Sequence, residues 1–225
     1  MKDNDSGVIW QLLLILLGAP LLQWVLFILS GVSFETHYQY AFLSGMAMEY
    51  TFLFLVVWFL RKKGRSLTDI GFRSPERWFR EIMIGLGTGV VLFLLMGILN
   101  WLPALIFPSP EIAVHRPVWA GWVYGFALLT AFAPVEEIIW RGYAITLLRE
   151  HIRHIFLVVT IASLVFGLIH WWGGLGLVVS TTIVGYLYSG LFLWRRSLLA
   201  NIVAHFVSDF PLFLFMVLQI TPPAS

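Results

Sequence analysis

The chain has no cysteine. That absence excludes a thiol nucleophile, disulfide bridges and thiolate metal sites, and it leaves the redox compartment undetermined. Charge is scarce too. Only 12% of the 225 residues are Asp, Glu, Lys or Arg, while 60% are apolar; a soluble globular chain is nearer a quarter charged and half apolar. With a mean hydropathy of +0.87, this composition predicts a multi-pass protein of the cell membrane, with residues 1–225 forming one integral membrane domain. The formal net charge of +2 comes from basic residues spread among loops. Membrane lipid is therefore an expected partner and nucleic acid is not. No internal repeat of the kind many secondary transporters show is visible. The amino-terminal MKDNDSG is a poor signal-peptide start, and the apolar run behind it, about 22 residues, is long enough to span, so a retained helix is expected.

What the chain does have is a series of apolar runs. Spans are expected at about 8–30, 38–60, 81–101, 118–148, 155–171, 175–193 and 198–220, which makes an all-α polytopic bundle of about seven transmembrane helices. Gly85, Gly87, Gly89 and Gly97 permit close helix contact in the third span. Pro134 lacks an N–H and is expected to kink or break the fourth. Between the second and third spans, RKKGRSLTDIGFRSPERWFR is strongly basic and carries Leu67, Ile70, Phe72 and Trp78 as apolar anchors. It is expected to lie along the membrane surface. If this loop is cytoplasmic and the spans alternate, 12 of the 14 basic residues fall inside. The amino terminus is then cytoplasmic, and an even helix count would spoil the bias.

One stretch stands out from its surroundings. PVEEIIWRG, residues 134 to 142, sets Glu136, Glu137 and Arg141 within six residues of otherwise apolar sequence. A charge at a bilayer centre costs about 2.5–3.5 kcal/mol on insertion scales. Glu137 and Arg141 are four apart with the acid first, the better orientation for a helical ion pair. Glu136 points about 100° away and has no partner at helical spacing. Two later spans add polar groups: FGLIH sets Phe166 and His170 four apart, and NIVAHFVSD aligns Asn201, His205 and Asp209 at the same spacing. Counted from the basic flanks at 1.5 Å per residue, Glu136, His170, His205 and Asp209 lie roughly 14–24 Å deep, a band about 10 Å thick. A shared polar cavity would explain that common depth.

In such a cavity a carboxylate can take a proton from water and later give it to a leaving amine. Histidines can orient that water, stabilise an oxyanion or bind a metal. Glu, His and His is also an open-site zinc ligand set. A divalent metal such as zinc, with Glu136, His170, His205 and Asp209 as candidate ligands, and a metal-free mechanism both stay open. HExxH, GxGD and GxSG-like patterns are missing, so an intramembrane hydrolase built on this chain would be of the glutamate/histidine kind.

These motifs resemble a known family. APVEEIIWRGYA is similar to the EExxxR motif of the CAAX proteases and bacteriocin-processing enzymes, the type II CAAX prenyl endopeptidase or abortive-infection family. FGLIH resembles its FxxxH motif, and GYLYSGLFLWRRSLLANIVAHFVSD its last segment, ending in His and, four residues on, Asn or Asp. SLTDIGFRSP resembles a loop ahead of that core, so the likeness covers about 66–210. It implies an intramembrane endopeptidase acting on a peptide or protein substrate that enters from the membrane, a CAAX-like tail or a bacteriocin or leader-type peptide. Glu136 would be the general base, with His170 helping to orient the water. Glu137 and Arg141 would hold the first motif in shape, with Phe166 supporting, and His205 and Asp209 would stabilise the oxyanion or bind a metal. Asp209 stands where the family often has Asn, which favours a metal-ligand or His-orienting role.

Other readings use the same residues. A non-catalytic immunity or scaffold protein would need Glu136, Glu137 and Arg141 only for assembly, and a proton- or metal-coupled transporter would use acids and histidines as a path. Glu49 has no motif partner, and a structural bond to the bundle is expected of it. Asn201 reads as packing or capping, and His151 and His154 as solvated loop residues.

Overall fold

A computed structural model describes residues 34–104, 118–171 and 174–218, with isolated positions between 10 and 25. The span expected at 8–30 lies largely outside them. Among the described residues there are six helices and no strand. They are α1 Phe34–Lys62, α2 Trp78–Ala104, α3 Val118–His151, α4 Ile155–Leu168, α5 Gly174–Arg195 and α6 Leu198–Leu218. All except α4 contain a stretch long and apolar enough to cross a membrane. Large apolar side chains such as Phe54, Leu94, Phe126, Leu129 and Phe156 face outward, while Glu49, Glu136, Glu137, Arg141, Asn201 and His205 are buried. A water-soluble fold would reverse that distribution. The chain is a multi-pass integral membrane protein.

At Pro134 the break allowed for in the sequence does not occur, and α3 runs on through it. Just ahead of the proline, Leu128–Phe132 widens into π-helix, and the N–H of Ala133 bonds to the carbonyl of Leu128. The wider turn absorbs the missing donor and the ring clash that would break a plain α-helix. A second π stretch, Glu137–Ala144, carries the buried Glu137 and Arg141.

The basic loop ties the helix ends together. Ser66 caps the 3-10 turn Leu67–Ile70, donating its backbone N–H (2.7 Å) and its hydroxyl (3.0 Å) to Asp69 Oδ2. The backbone bond from Ser66 holds the exposed Asp69 carboxyl below the usual carboxylate range. Gly71, at φ 94°, then turns the chain where a Cβ would meet Phe192 at 2.8 Å, and its carbonyl accepts from the N–H of Leu198. Arg65 pairs with Glu150, and Arg195 Nε donates to the buried Glu81 at 2.9 Å. A cavity of about 450 Å³ opens at this end, lined in part by Asp69, Arg73, Arg149 and Arg196.

The seam between α2 and α6 positions the helix that carries His205. A Cβ on Gly85 would lie 2.7 Å from the Ala200 carbonyl, and one on Gly89 would lie 2.6 Å from Val207 Cβ. Gly87 and Gly97, also expected in close contact, meet nothing within 4 Å. Gly85 and Gly89 are four apart and share the α6 face; Gly87 points to another. Gly89→Leu should therefore destabilise the protein by about 1–3 kcal/mol through overpacking, with Gly87→Leu within about 0.5 kcal/mol of wild type, as read from unfolding in detergent. Equal effects at the two positions would contradict this seam.

Candidate active site

Glu137 has no exposed surface, and its two oxygens are committed. Arg141 Nη1 donates to Oε1 at 3.0 Å from the next turn of α3. From α6, His205 Nδ1 lies 2.9 Å from Oε1 and Asn201 Nδ2 donates to Oε2 at 3.1 Å. Asn201 Nδ2 also reaches the carbonyl of Tyr188 on α5, at 2.8 Å. Arg141 lies over the rings of Phe166 (4.0 Å) and Tyr188 (4.9 Å). One buried carboxylate thus joins α3, α5 and α6, and the guanidinium that answers it rests on aromatic faces from α4 and α5.

His170 lies just past α4, which ends at Leu168 and so falls short of the expected Trp171. Its Nδ1 is 2.9 Å from the carbonyl of Phe166. That carbonyl can only accept, so Nδ1 carries the hydrogen and Nε2 is left for other work. The side chain has taken the acceptor that a continuing helix would give to the N–H of His170, which bonds to Gly167 instead. Competition of this kind ends a helix.

Phe166 gathers the imidazoles: its ring centroid is 5.0 Å from that of His170 and 6.4 Å from that of His205. Tyr188 stacks on His205 at 5.2 Å, and its hydroxyl pairs with Ser208 at 2.8 Å. His205 Nε2 faces Asp209 Oδ2 at 3.6 Å, an ion-pair contact too long for a hydrogen bond. Asp209 is held by the Ser208 hydroxyl at 2.9 Å and keeps 40% of its side chain exposed, so the cluster has an open side. Glu136 is buried, its Oε2 has no hydrogen-bond partner among the described residues, and its charge interacts with those of His205, Asp209, Arg141 and Glu137.

Residues 117–211 match the family model described as type II CAAX prenyl endopeptidase Rce1-like. That segment is therefore similar to the Rce1-like family, a family of proteases. No curated protein and no solved structure matches the chain. The Rce1-like segment contains Glu136, Glu137, Arg141, Phe166, His170, His205 and Asp209. It excludes α1, and also the SLTDIGFRSP loop that the sequence likeness had taken in.

The sequence reading undervalued three residues around the Rce1-like cluster. Asn201 braces Glu137 rather than filling space. Tyr188 stands thirteen residues from Asn201 on another helix, where no periodicity within one helix could find it. Glu49 is buried, and its charge interacts with those of Glu136 and His205. His151 and His154 are exposed, as expected. The candidate metal ligands do not gather. Among the described residues, no three His, Asp or Glu side chains could hold a metal ion, and Nδ1 of both histidines is already engaged.

Replacing Arg141 with Met should remove the guanidinium that neutralises the buried Glu137 and cost about 3–5 kcal/mol, measured by unfolding in detergent. Adding Glu137→Gln to Arg141→Met should recover part of that loss. A single-variant loss under about 1 kcal/mol would contradict the role given to the pair.

Proposed function

We propose that this chain is an intramembrane endopeptidase. Its substrate is delivered from the membrane, a CAAX-like tail or a bacteriocin or leader-type peptide, and Glu136 activates the water that cleaves it. The observation that carries the reading is the contrast between adjacent carboxylates. Glu137 is fully committed to Arg141, His205 and Asn201, whereas Glu136 Oε2 is buried without a partner among the described residues. A buried carboxyl oxygen left unpaired in this way supports a role in proton transfer.

In the step proposed, the water gives one hydrogen to Glu136 and points the other at Nε2 of His170. Its oxygen bonds to the scissile carbonyl carbon. His205, as imidazolium between Glu137 and Asp209, offers Nε2–H to the oxyanion. The C–N bond then breaks, and the proton held by Glu136 passes to the leaving amine. Asp209 orients His205. The Rce1-like match supports the reaction class; the roles rest on the hydrogen bonding around each group.

The topology proposed with this reading has seven spans and a cytoplasmic amino terminus. It is supported by Arg61, Lys62, Lys63, Arg65, Arg73, Arg77 and Arg80 at one end of the bundle, where Trp78 and Trp194 are exposed as interfacial anchors.

Two experiments test these readings. With a membrane-inserted peptide, prenylated and unprenylated, purified Glu136→Gln, His170→Ala and His205→Ala should each lose on the order of 10²–10⁴-fold in kcat/KM. Full activity in any of the three overturns the mechanism. Because the chain has no native cysteine, single thiols report the topology: Glu76→Cys should label only from the cytoplasmic side and Ser109→Cys only from the opposite side. Labelling of both from one side overturns the orientation.

A further inference from the structure

Glu49 lies outside the Rce1-like segment and was expected to make a structural bond, yet among the described residues none is found for its buried Oε2. Two contacts set how α1 lies along α3. The Tyr50 hydroxyl donates to Thr130 Oγ1 at 2.8 Å. Four residues before Glu49, a Cβ on Gly45 would sit 3.3 Å from the Phe132 ring. Between these anchors Glu49 comes into the field of Glu136 and His205. Glu49 and Glu136 are 5% and 8% exposed, and Oε2 of each is buried without a partner among the described residues. Unpaired buried carboxyl oxygens are costly, and each asks for an explanation.

We propose that Glu49 is a positioning residue for Glu136, the two carboxyl groups being joined through one bridging hydrogen, carried by a proton or a water, between their partnerless Oε2 atoms. Two carboxyl oxygens cannot hydrogen-bond unless a hydrogen stands between them. The bridge fixes the rotamer of Glu136 and turns its other oxygen toward the hydrolytic water. Glu137 cannot supply this hold, since its own oxygens are engaged. The inference rests on Glu136 being the base.

The test compares wild type with Glu49→Leu, Glu49→Gln and Glu136→Gln in lipid nanodiscs, measuring peptide cleavage and thermal unfolding. Glu49→Leu should lower kcat on the order of 10²-fold through a misplaced base, with KM within about twofold of wild type. Its thermal midpoint should not fall, because leucine replaces a buried carboxyl whose Oε2 has no partner among the described residues. Glu49→Gln, whose amide can donate directly to Glu136, should recover kcat to within about tenfold of wild type.

The inference is overturned by wild-type turnover in Glu49→Leu, by a loss of turnover matched by a fall in thermal midpoint, or by Glu49→Gln failing to recover. Failure of both Glu49 variants to fold also overturns it, since Glu49 is then a folding residue. If Glu136→Gln keeps full activity, the reading of Glu136 as base fails and the inference about Glu49 falls with it. If Glu136→Gln is inactive while Glu49→Leu turns over normally, only the role of Glu49 is lost.

Discussion

A carboxylate with no exposed surface must have its charge answered inside the protein, and Glu137 is answered by three groups at once. Arg141 neutralises it, His205 and Asn201 bind it, and these partners come from its own helix and from α6. In a bilayer, apolar side chains gain little by leaving lipid for one another, so helix association depends on close packing and on polar contacts of this kind. The Gly85 and Gly89 seam with α6 supplies the first, and the Glu137 network supplies the second. Loss of the network would free His205 along with the ion pair, because one oxygen holds both Arg141 and the imidazole.

The same arrangement separates the duties of two adjacent acids. Glu137 is spent on structure, while Oε2 of Glu136 is left without a partner among the described residues. That division needs α3 to stay continuous through Pro134, and the π turns provide it. Had the helix broken at the proline, the two acids would have lost their fixed relation to α6. The aromatic residues serve the same end. Phe166 touches His170, His205 and Arg141, and Tyr188 stacks on His205 while its backbone carbonyl holds Asn201. The polar site is therefore walled by rings rather than by aliphatic side chains.

Much of this was legible along the chain. The ion pair of Glu137 and Arg141 follows from spacing within one helix, as does the meeting of Phe166 with His170. Both are local, and local geometry is what periodicity reports. The continuity of α3 was not legible, since a proline signals a lost donor but not the π turn that compensates for it. Nor could Gly87 be told from Gly89, because the facing surface of α6 decides which glycine is needed. Glu49 looked like an isolated acid because its neighbours in space are some ninety to a hundred and fifty positions away in sequence.

By itself, then, the sequence determined the membrane class, the run of apolar helices and the set of ionisable groups that must be buried, because hydropathy and helical period act over short distances. Tertiary structure alone decided which of two adjacent glutamates is tied down, which nitrogen of each histidine is engaged and that the acid of α1 is buried. Those outcomes depend on contacts between helices, and the register of one helix against another is not written in the period of either.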